Sequence, residues 1–486
     1  CDLAGLVGEH VAVTVAVGAN ARLKVPAIVA GMIAGADCLD DLDVLRHGGM
    51  TELFGGVRAP STLGSFLRGL HWGNVRQLEV VSRHLLAGLG TATPVLADAA
   101  VMAHLDIDSC QRRVYGHAEQ GAGFGAAEVG GYPVRLRGLN PLLAAVSTPT
   151  CAPVLVGTWL GGGTAHSARG AESFTAEAIT TARAAGATGL LIARMDSAFY
   201  NGAAIAACRR ADVRFSVTAR TDPKITKAIE GISQDAWIPI KYPHALFDQD
   251  EQRWISDAEV AEVPYTALAG KKAHAVTARL IVRRVRRLAP PQQGELLPAW
   301  RHHAVFTDSP LAMLAAETDH RDHAIIEQLI ADLIDGPLAH LPSGHFAANA
   351  AWLTCAGISH NLLRAAATLA SRRHDRARSS TLPRQLINIA ARLAHRGRDQ
   401  LILHLPQDWP WQDAFDGLFD TTHRAPPHPR GLTGISTPST PRRPPRPTPH
   451  RPTTAIRTKP QNRQRRTPRA PKQQNDHRPR ETITNN

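Results

Sequence analysis

Three acidic positions combine residue type and setting in a way that could hold a divalent cation. In VMAHLDIDS the apolar Val101, Ala103, Leu105 and Ile107 alternate with Met102, His104, Asp106 and Asp108, so both aspartates share one face of an expected strand. Carboxylates on a central strand are costly to desolvate unless paired or bound to a cation. Asp196 closes the apolar run GLLIARM and precedes SAFYNGAAIAACRR. That sets it where a strand hands over to a helix, and strand ends are where α/β folds place their chemistry. Taken alone, Asp196 also reads as a helix N-cap. Glu327 lies in HRDHAIIEQLIADLI. On a regular helix Ile325, Ile326, Leu329, Ile330 and Leu333 cover one arc, and His320, His323 and Glu327 fall within about 60° of one another on its flank. By itself Glu327 reads first as a solvated charge on a surface helix. Spacing alone gives a three-acid cluster, with no reaction attached to it.

The elements that would position these acids follow from periodicity. Residues 1–95 read as a small all-α unit, with VPAIVAGMIAGADCLDDLDVL, PSTLGSFLRGL and VRQLEVVSRHLLAGL as its apolar helical stretches. Arg58, Arg68, His71 and Arg76 make it a candidate DNA-end-binding domain, or leave it a packing helix with solvated charges. From residue 97 short β runs take over, at 101–108, 132–138, 152–160, 189–195 and 213–219. Helical stretches at 171–185 and 198–210 separate the last three. The order β-β-β-α-β-α-β predicts a three-layer α/β domain with a mixed sheet. The expected division is a helical unit over 1–95, a catalytic core over 96–233 resumed as a helical second part over 306–420, a β-rich insertion over 234–305 and a tail over 421–486. The segment WLGGGTAHSARG could suggest phosphate binding through Gly161 to Gly163. It lacks the Gly-Lys-Ser/Thr ending of a P-loop, and a glycine turn after a strand is commoner.

Composition narrows the function classes. The 486 residues carry 55 basic and 42 acidic side chains, a net +13 that looks like a nucleic-acid signal until its location is read. Residues 424–486 hold 15 of the basic side chains against Asp476 and Glu481 alone, and residues 1–423 balance at 40 and 40. Of the 34 prolines, 14 lie beyond residue 424, so the tail cannot build a core and is expected to be disordered. The six cysteines are scattered and never form Cys-x-x-Cys, which points away from zinc ribbons and disulfide frameworks and toward a reducing cytoplasm. The longest nearly uncharged stretch, 25–36, is too short to span a bilayer, so no membrane segment is expected. Opening on Cys1 without a basic leader suggests a missing start rather than a signal peptide.

The order of the acids, strand, strand end, β insertion, helix, resembles that of the DDE transposases of bacterial insertion sequences. LDIDS, RMDSAFYN, WISDAEVAEVPY and HRDHAIIEQ are most similar to the thirteen-eighty family, across about residues 40–420. The resemblance implies an α/β fold with an RNase H-like mixed-sheet core interrupted by the β-rich insertion. It implies Asp108, Asp196 and Glu327 as catalytic metal ligands, with Asp108 preferred over Asp106 because the family's first acid precedes a small or hydroxylated residue such as Ser109. Mg²⁺ is the implied cofactor, with Mn²⁺ substituting. Two ions about 3.5–4 Å apart would activate water and stabilise the attacking and leaving oxygens, and a 3′-hydroxyl could then serve as nucleophile for strand transfer. The implied partners are terminal inverted repeats and target DNA, bound by a homodimer assembled on DNA in the cytoplasm at the nucleoid. Near the last acid the family carries Tyr-x2-Arg-x3-Glu-x6-Lys, and this chain places His320, His323 and Ile334 at the Tyr, Arg and Lys positions. His320, His323 and the neighbouring Arg321 are therefore the expected phosphate contacts. Trp254, and with it Trp237, lies in the segment implied to cover the transposon end. The lost Tyr, Arg and Lys also motivate an alternative, a catalytically inactive DNA-binding protein derived from a transposase.

Overall fold

The computed structural model describes residues 1–14, 19–116, 118–129, 132–165, 170–243, 245–270, 275–286, 300–397, 400–423 and 454–457. Its centre is an 11-stranded mixed sheet. The strands near the acids are β1 (Met102–Ser109), β2 (Arg112–Arg113), β3 (Gly123–Val129), β4 (Tyr132–Ser147), β5 (Val154–Gly162), β6 (Leu190–Met195) and β7 (Arg214–Thr218). The sheet continues through β8 (Ile238–Pro239), β11 (Ala258–Ala267), β12 (Val276–Arg286) and β13 (Trp300–Thr307), while β9 (Leu246–Asp248) and β10 (Arg253–Ile255) pair only with each other. Strands β5, β4 and β1 are antiparallel neighbours, and β1, β6 and β7 run parallel. Beyond β7 the order β13-β12-β11-β8 is antiparallel throughout.

Both faces of this sheet are covered. On one face α6 (Ala171–Ala184) and α7 (Gly202–Arg210) bury Phe174, Ile179 and Ile205 against Ala103, Leu105 and Ile107 of β1 and Phe215 of β7. On the other, α5 (Trp72–Ala92), α10 (Ile325–Ile334) and α11 (Phe346–Ala370) pack Leu85, Ile326 and Trp352 over Leu143 and Leu155. The helices α1 (Leu3–His10), α2 (Ala21–Ile33) and α4 (Pro60–Arg68) join that second core through Val7, Ile28 and Phe66. The N-terminal helices thus share a core with the sheet instead of closing one of their own. Helix α3 (Met50–Leu53) is a single turn on their margin.

The expected β insertion also joins the main architecture, since β11, β12 and β13 prolong the central sheet and Leu280, Val282 and Phe306 belong to its first core. The expected helical second part over 306–420 is interrupted by strands. Strands β14 (Arg392–Arg396) and β15 (Gln400–His404) form a separate three-stranded sheet with β16 (Thr454–Arg457). Among the described residues, the first compact unit holds 1–389 and 408–423, including α12 (Gln412–His423), and the second holds these three strands. The disorder expected of 421–486 falls almost wholly outside the described residues. Its described parts, the end of α12 and β16, are ordered elements. No helix among the described residues is long and apolar enough to cross a membrane.

The glycine-rich turn has a packing explanation. A Cβ on Gly163 would collide with the carbonyl oxygens of Gly123 and Gly138, and one on Gly138 with that of Arg112. Where β2, β3, β4 and β5 crowd together, only glycine lets the backbones approach.

Candidate active site

Alternation along the three parallel strands lays a polar stripe across the sheet. While Ala103, Leu105 and Ile107 enter the first core, His104, Asp106 and Asp108 face the opposite side of β1. The neighbouring strands add Arg194 from β6 and Ser216 and Thr218 from β7. Above the stripe lie α9 (Met313–Arg321), a 3-10 turn over Asp322–Ala324, and α10, which carries Glu327. The expected continuous helix is therefore broken, and His320, His323 and Glu327 do not share one regular helical arc.

The register of β1 against β6 sets the pairs. Asp106 stands beside Arg194 and Ile107 beside Met195, so continuing by one residue brings Asp108 alongside Asp196. Asp106 is fully buried. Arg194 donates to both its oxygens, Nε to Oδ1 at 2.7 Å and Nη2 to Oδ2 at 2.8 Å, and Nδ1 of His323 donates to Oδ1 at 2.8 Å. Burial would raise the carboxyl of Asp106, but Arg194 and His323 together hold it below its ordinary value. This carboxylate is committed to structure, which leaves Asp108 as the acid of the pair that faces the other two. Arg194 also donates Nη1 to the carbonyl of Asp319 at 2.7 Å, and Nε2 of His104 lies 2.5 Å from Oδ1 of Asp319. Five side chains thus bind strands β1 and β6 to the segment leading into α10.

Asp108 is held in a different way. Its Oδ1 accepts the backbone N–H of Ser109 at 2.6 Å. Burial first, and then the negative charges of Asp196 and Glu327, push its carboxyl up to about 6 against the opposing pull of that N–H and of His323. Asp196 caps the 3-10 turn Ser197–Phe199, accepting the N–H of Ala198 at 3.0 Å, so the N-cap reading holds alongside its place beside Asp108. Burial raises the Asp196 carboxyl too, opposed by that N–H, by His323 and by Arg220. Glu327 is exposed in the first turn of α10. Asp108 lies within electrostatic reach of both Asp196 and Glu327, with His323 beside the two aspartates.

Their oxygens are not drawn into a closed cage. Among the described residues, the set whose ligand atoms all lie within 4.8 Å of one another is Asp37, Cys38 and Asp41, away from this centre. For the acids the donor chemistry fits a hard divalent cation. Hard carboxylate oxygens of like charge, with the Asp108 carboxyl raised by burial and then by the charges of Asp196 and Glu327, favour a cation beside them.

The expected phosphate contacts divide. His320 is a correction: it is 8% exposed, and its Nδ1 and Nε2 lie 2.9 and 3.0 Å from the hydroxyls of Ser216 and Thr218. Burial, with His323 and Arg194 nearby, pushes it down to about 3, so it is a neutral core residue with no free ring nitrogen for DNA. His323 is tied through Nδ1 to Asp106. Arg321 donates Nε to Glu317 at 2.9 Å and borders a groove of about 870 Å³ together with Arg194, Asp319 and Arg376. Trp254 is half-buried on the β9–β10 hairpin, its ring 5.1 Å from that of Phe247 and 5.6 Å from the ammonium of Lys241. Trp237 is buried, with the guanidinium of Arg284 4.1 Å over its ring.

Sequence reasoning missed Arg194 and Asp319. The signal was present for Arg194: two residues before Asp196 on the same strand, it must share a face with Asp196 and stand opposite the Asp106–Asp108 face of a parallel neighbour. No curated protein matches the chain significantly. Residues 25–427 match the family described as transposase DDE domain group 1, whose members generally use divalent metal ions. That match spans most of the chain and includes all three acids, and the protein belongs to this DDE transposase family.

Proposed function

We propose that this protein is an active DNA transposase of the thirteen-eighty type, cleaving insertion-sequence ends and joining them to target DNA with Asp108, Asp196 and Glu327 as its catalytic and metal-holding carboxylates. The observation that carries the reading is that strand register sets Asp108 alongside Asp196 and that Glu327 is near enough to act on Asp108, whose carboxyl is raised to about 6 by burial first and then by these two charges. The strand order β5-β4-β1-β6-β7, antiparallel up to β1 and parallel from it, supports an RNase H-like core.

Mg²⁺, with Mn²⁺ as substitute, is the cation these oxygens suit; when bound it would supply charge stabilisation to the attacking and leaving oxygens of an in-line displacement. The chain's own residues do the rest. Asp106 and Arg194 hold β1 and β6 in register, which keeps Asp108 and Asp196 side by side. His323 stands beside both and anchors the turn that presents Glu327. Arg321, at the wall of the large groove, and Trp254, on its hairpin, are the proposed contacts to phosphate and base, and His323 joins them as the third. The substrates are the terminal inverted repeats and target DNA, handled by a homodimer assembled on DNA at the nucleoid in the cytoplasm.

The test is nicking of a duplex carrying the element's terminal repeat, in Mg²⁺ and in Mn²⁺. Asp108→Asn, Asp196→Asn and Glu327→Gln are each expected to abolish nicking and retain end binding. Normal nicking by any of the three removes that residue from the site. End binding by the unaltered protein without nicking in either metal would identify the inactive, DNA-binding derivative.

A further inference from the structure

Beside the two aspartates opens a cleft of about 440 Å³ that the reading above leaves unused. Ser109, which follows Asp108, forms one part of its wall, and Ala198, whose N–H donates to the Asp196 carboxylate, another. Gly125 and Gly163 lie at its inner side, where a Cβ on Gly125 would strike Gln111 and the carbonyl of Gly163. The surface there is mostly backbone and small side chains, so a ligand can come close to the main chain.

Phe124 and Arg135, diagonal neighbours on the β3–β4 ribbon, where Phe124 pairs with Arg137 and Ala126 with Arg135, complete the wall. Phe124 leaves 56% of its surface exposed, an unusual place for a phenyl ring on a strand. Arg135 is also exposed, and its Nη2 donates to the backbone carbonyl of Phe124 at 3.3 Å, which holds the guanidinium at the main chain of Phe124. The same ribbon region exposes Tyr115, with the guanidinium of Arg113 4.9 Å over its ring, and Tyr132. Exposed aromatic faces alternating with arginines are how proteins hold single strands, because every base offers a π-face and every nucleotide a phosphate. A cleft this size is in the range of small-ligand pockets and takes one nucleotide, not a base pair with its flanking grooves.

We propose that this cleft holds one unpaired nucleotide of the DNA strand adjoining the phosphate at Asp108 and Asp196, with Phe124 stacked on its base and Arg135 on its phosphate. The proposal rests on the assignment of those two acids to the reacting phosphate. It explains why an aromatic side chain stays exposed beside an acidic centre, and why the glycines of WLGGGTAHSARG sit next to chemistry without forming a phosphate loop.

The experiment uses the full chain in Ca²⁺ with two probes, a blunt duplex and the same duplex bearing a short 3′ overhang that contains 2-aminopurine. The unaltered protein is expected to quench the overhang fluorescence. Phe124→Ala should lose the quench and bind the overhang about tenfold more weakly, with blunt-duplex affinity unchanged. Phe124→Leu, which keeps apolar surface without an aromatic face, should behave like the alanine variant, and Phe124→Trp should restore the quench. Arg135→Gln should keep the quench and flatten the salt dependence by about 0.7, the value for one phosphate on a single strand. A quench that persists in Phe124→Leu, or equal binding of both probes by the unaltered protein, overturns the proposal. These readouts need no cleavage, so they separate from the acid assignment: normal nicking by Asp108→Asn would sink that assignment, whatever the fluorescence reports.

Discussion

A carboxylate as deeply buried as Asp106 is tolerable only because Arg194 and His323 bring three donated hydrogen bonds to it. Asp106→Asn keeps the shape but leaves the Arg194 guanidinium, 2% exposed, facing a neutral amide. Breaking one side of a buried pair typically costs about 3–5 kcal/mol, so urea unfolding of this variant should show a loss of that order. A loss below about 1 kcal/mol would mean that water or a shifted partner already screens the pair. His320 gives a prediction of opposite electrostatic kind. Its folded-state value near 3 lies below the ordinary 6.5, so the folded protein holds the ring neutral while the unfolded chain takes up the proton first. The associated stability is fully present above pH 6.5 and is lost as pH falls toward 3, at about 1.4 kcal/mol per pH unit. His360, pushed down to about 4 chiefly by burial, adds a second loss of the same sign. Between pH 6.5 and 5 the two imidazoles lower the unfolding free energy as pH falls, against the opposite contribution of carboxyls raised by burial such as Asp108, so His320→Gln should change the slope by up to about 1.4 kcal/mol per pH unit in the stabilising direction. An unchanged pH slope in His320→Gln would show that the ring is not the titrating group.

At the scale of elements, what the sequence made legible was whatever local alternation or helical period controlled. The expected strands at 101–108, 189–195 and 213–219 are Met102–Ser109, Leu190–Met195 and Arg214–Thr218, and the expected helix at 171–185 is Ala171–Ala184. The same alternation set Asp106 and Asp108 on one face, and the strand-to-helix handover set Asp196 at a strand end. What stayed hidden was decided by contacts remote in sequence. Strand β3 reads GFGAAEV, with glycines and alanines where β-branched residues would mark a strand, and it is held by pairing with β4. The helix break at Asp322–Ala324 serves two demands. His320 must reach the hydroxyls of β7, while Ile326 and Leu329 must face the second core. A 3-10 turn advances by about 120° per residue instead of 100°, so the arc computed for a single regular helix loses its phase there. The β insertion illustrates a further limit, because periodicity finds strands but not which edge they join. Residues β13 needs to continue the sheet, Val305 to Thr307, pair with Ser216 to Thr218 of β7 across some ninety positions of intervening chain.

For the whole molecule the decisive quantity is where charge is left unpaired. The arginine-rich strand β12 looks like a nucleic-acid surface in sequence, yet Arg279, Arg283 and Arg284 are paired with Glu262, Glu317 and Glu259. Two of these carboxylates lie on the neighbouring strand β11, so the ladder neutralises itself as it forms. With residues 1–423 balanced, the net +13 belongs to the segment from Arg424 onward. Counterion release would make that charge a non-specific DNA tether, with an expected contribution to the salt slope of about −0.9 for each phosphate neutralised on a duplex. Truncation at residue 424 would be a poor test, because it also strips β16 from its pairing with β15. Replacing Arg463, Arg465, Arg466 and Arg469 by glutamine removes charge beyond that strand and leaves its pairing intact. Binding to random duplex should weaken, and the slope of log affinity against log salt should flatten by up to about 0.9 per arginine that engages a phosphate. Terminal-repeat nicking should survive, since the acids and the residues that hold them all precede residue 424. An identical slope in the quadruple variant would assign the non-specific affinity to the folded body, where Arg321 and Arg376 line the large groove and Arg135 the cleft beside the two aspartates. The two outcomes differ in mechanism as well as in residues: a tether raises the local concentration of DNA without orienting it, whereas guanidiniums at the groove act only on a strand already aligned with Asp108 and Asp196.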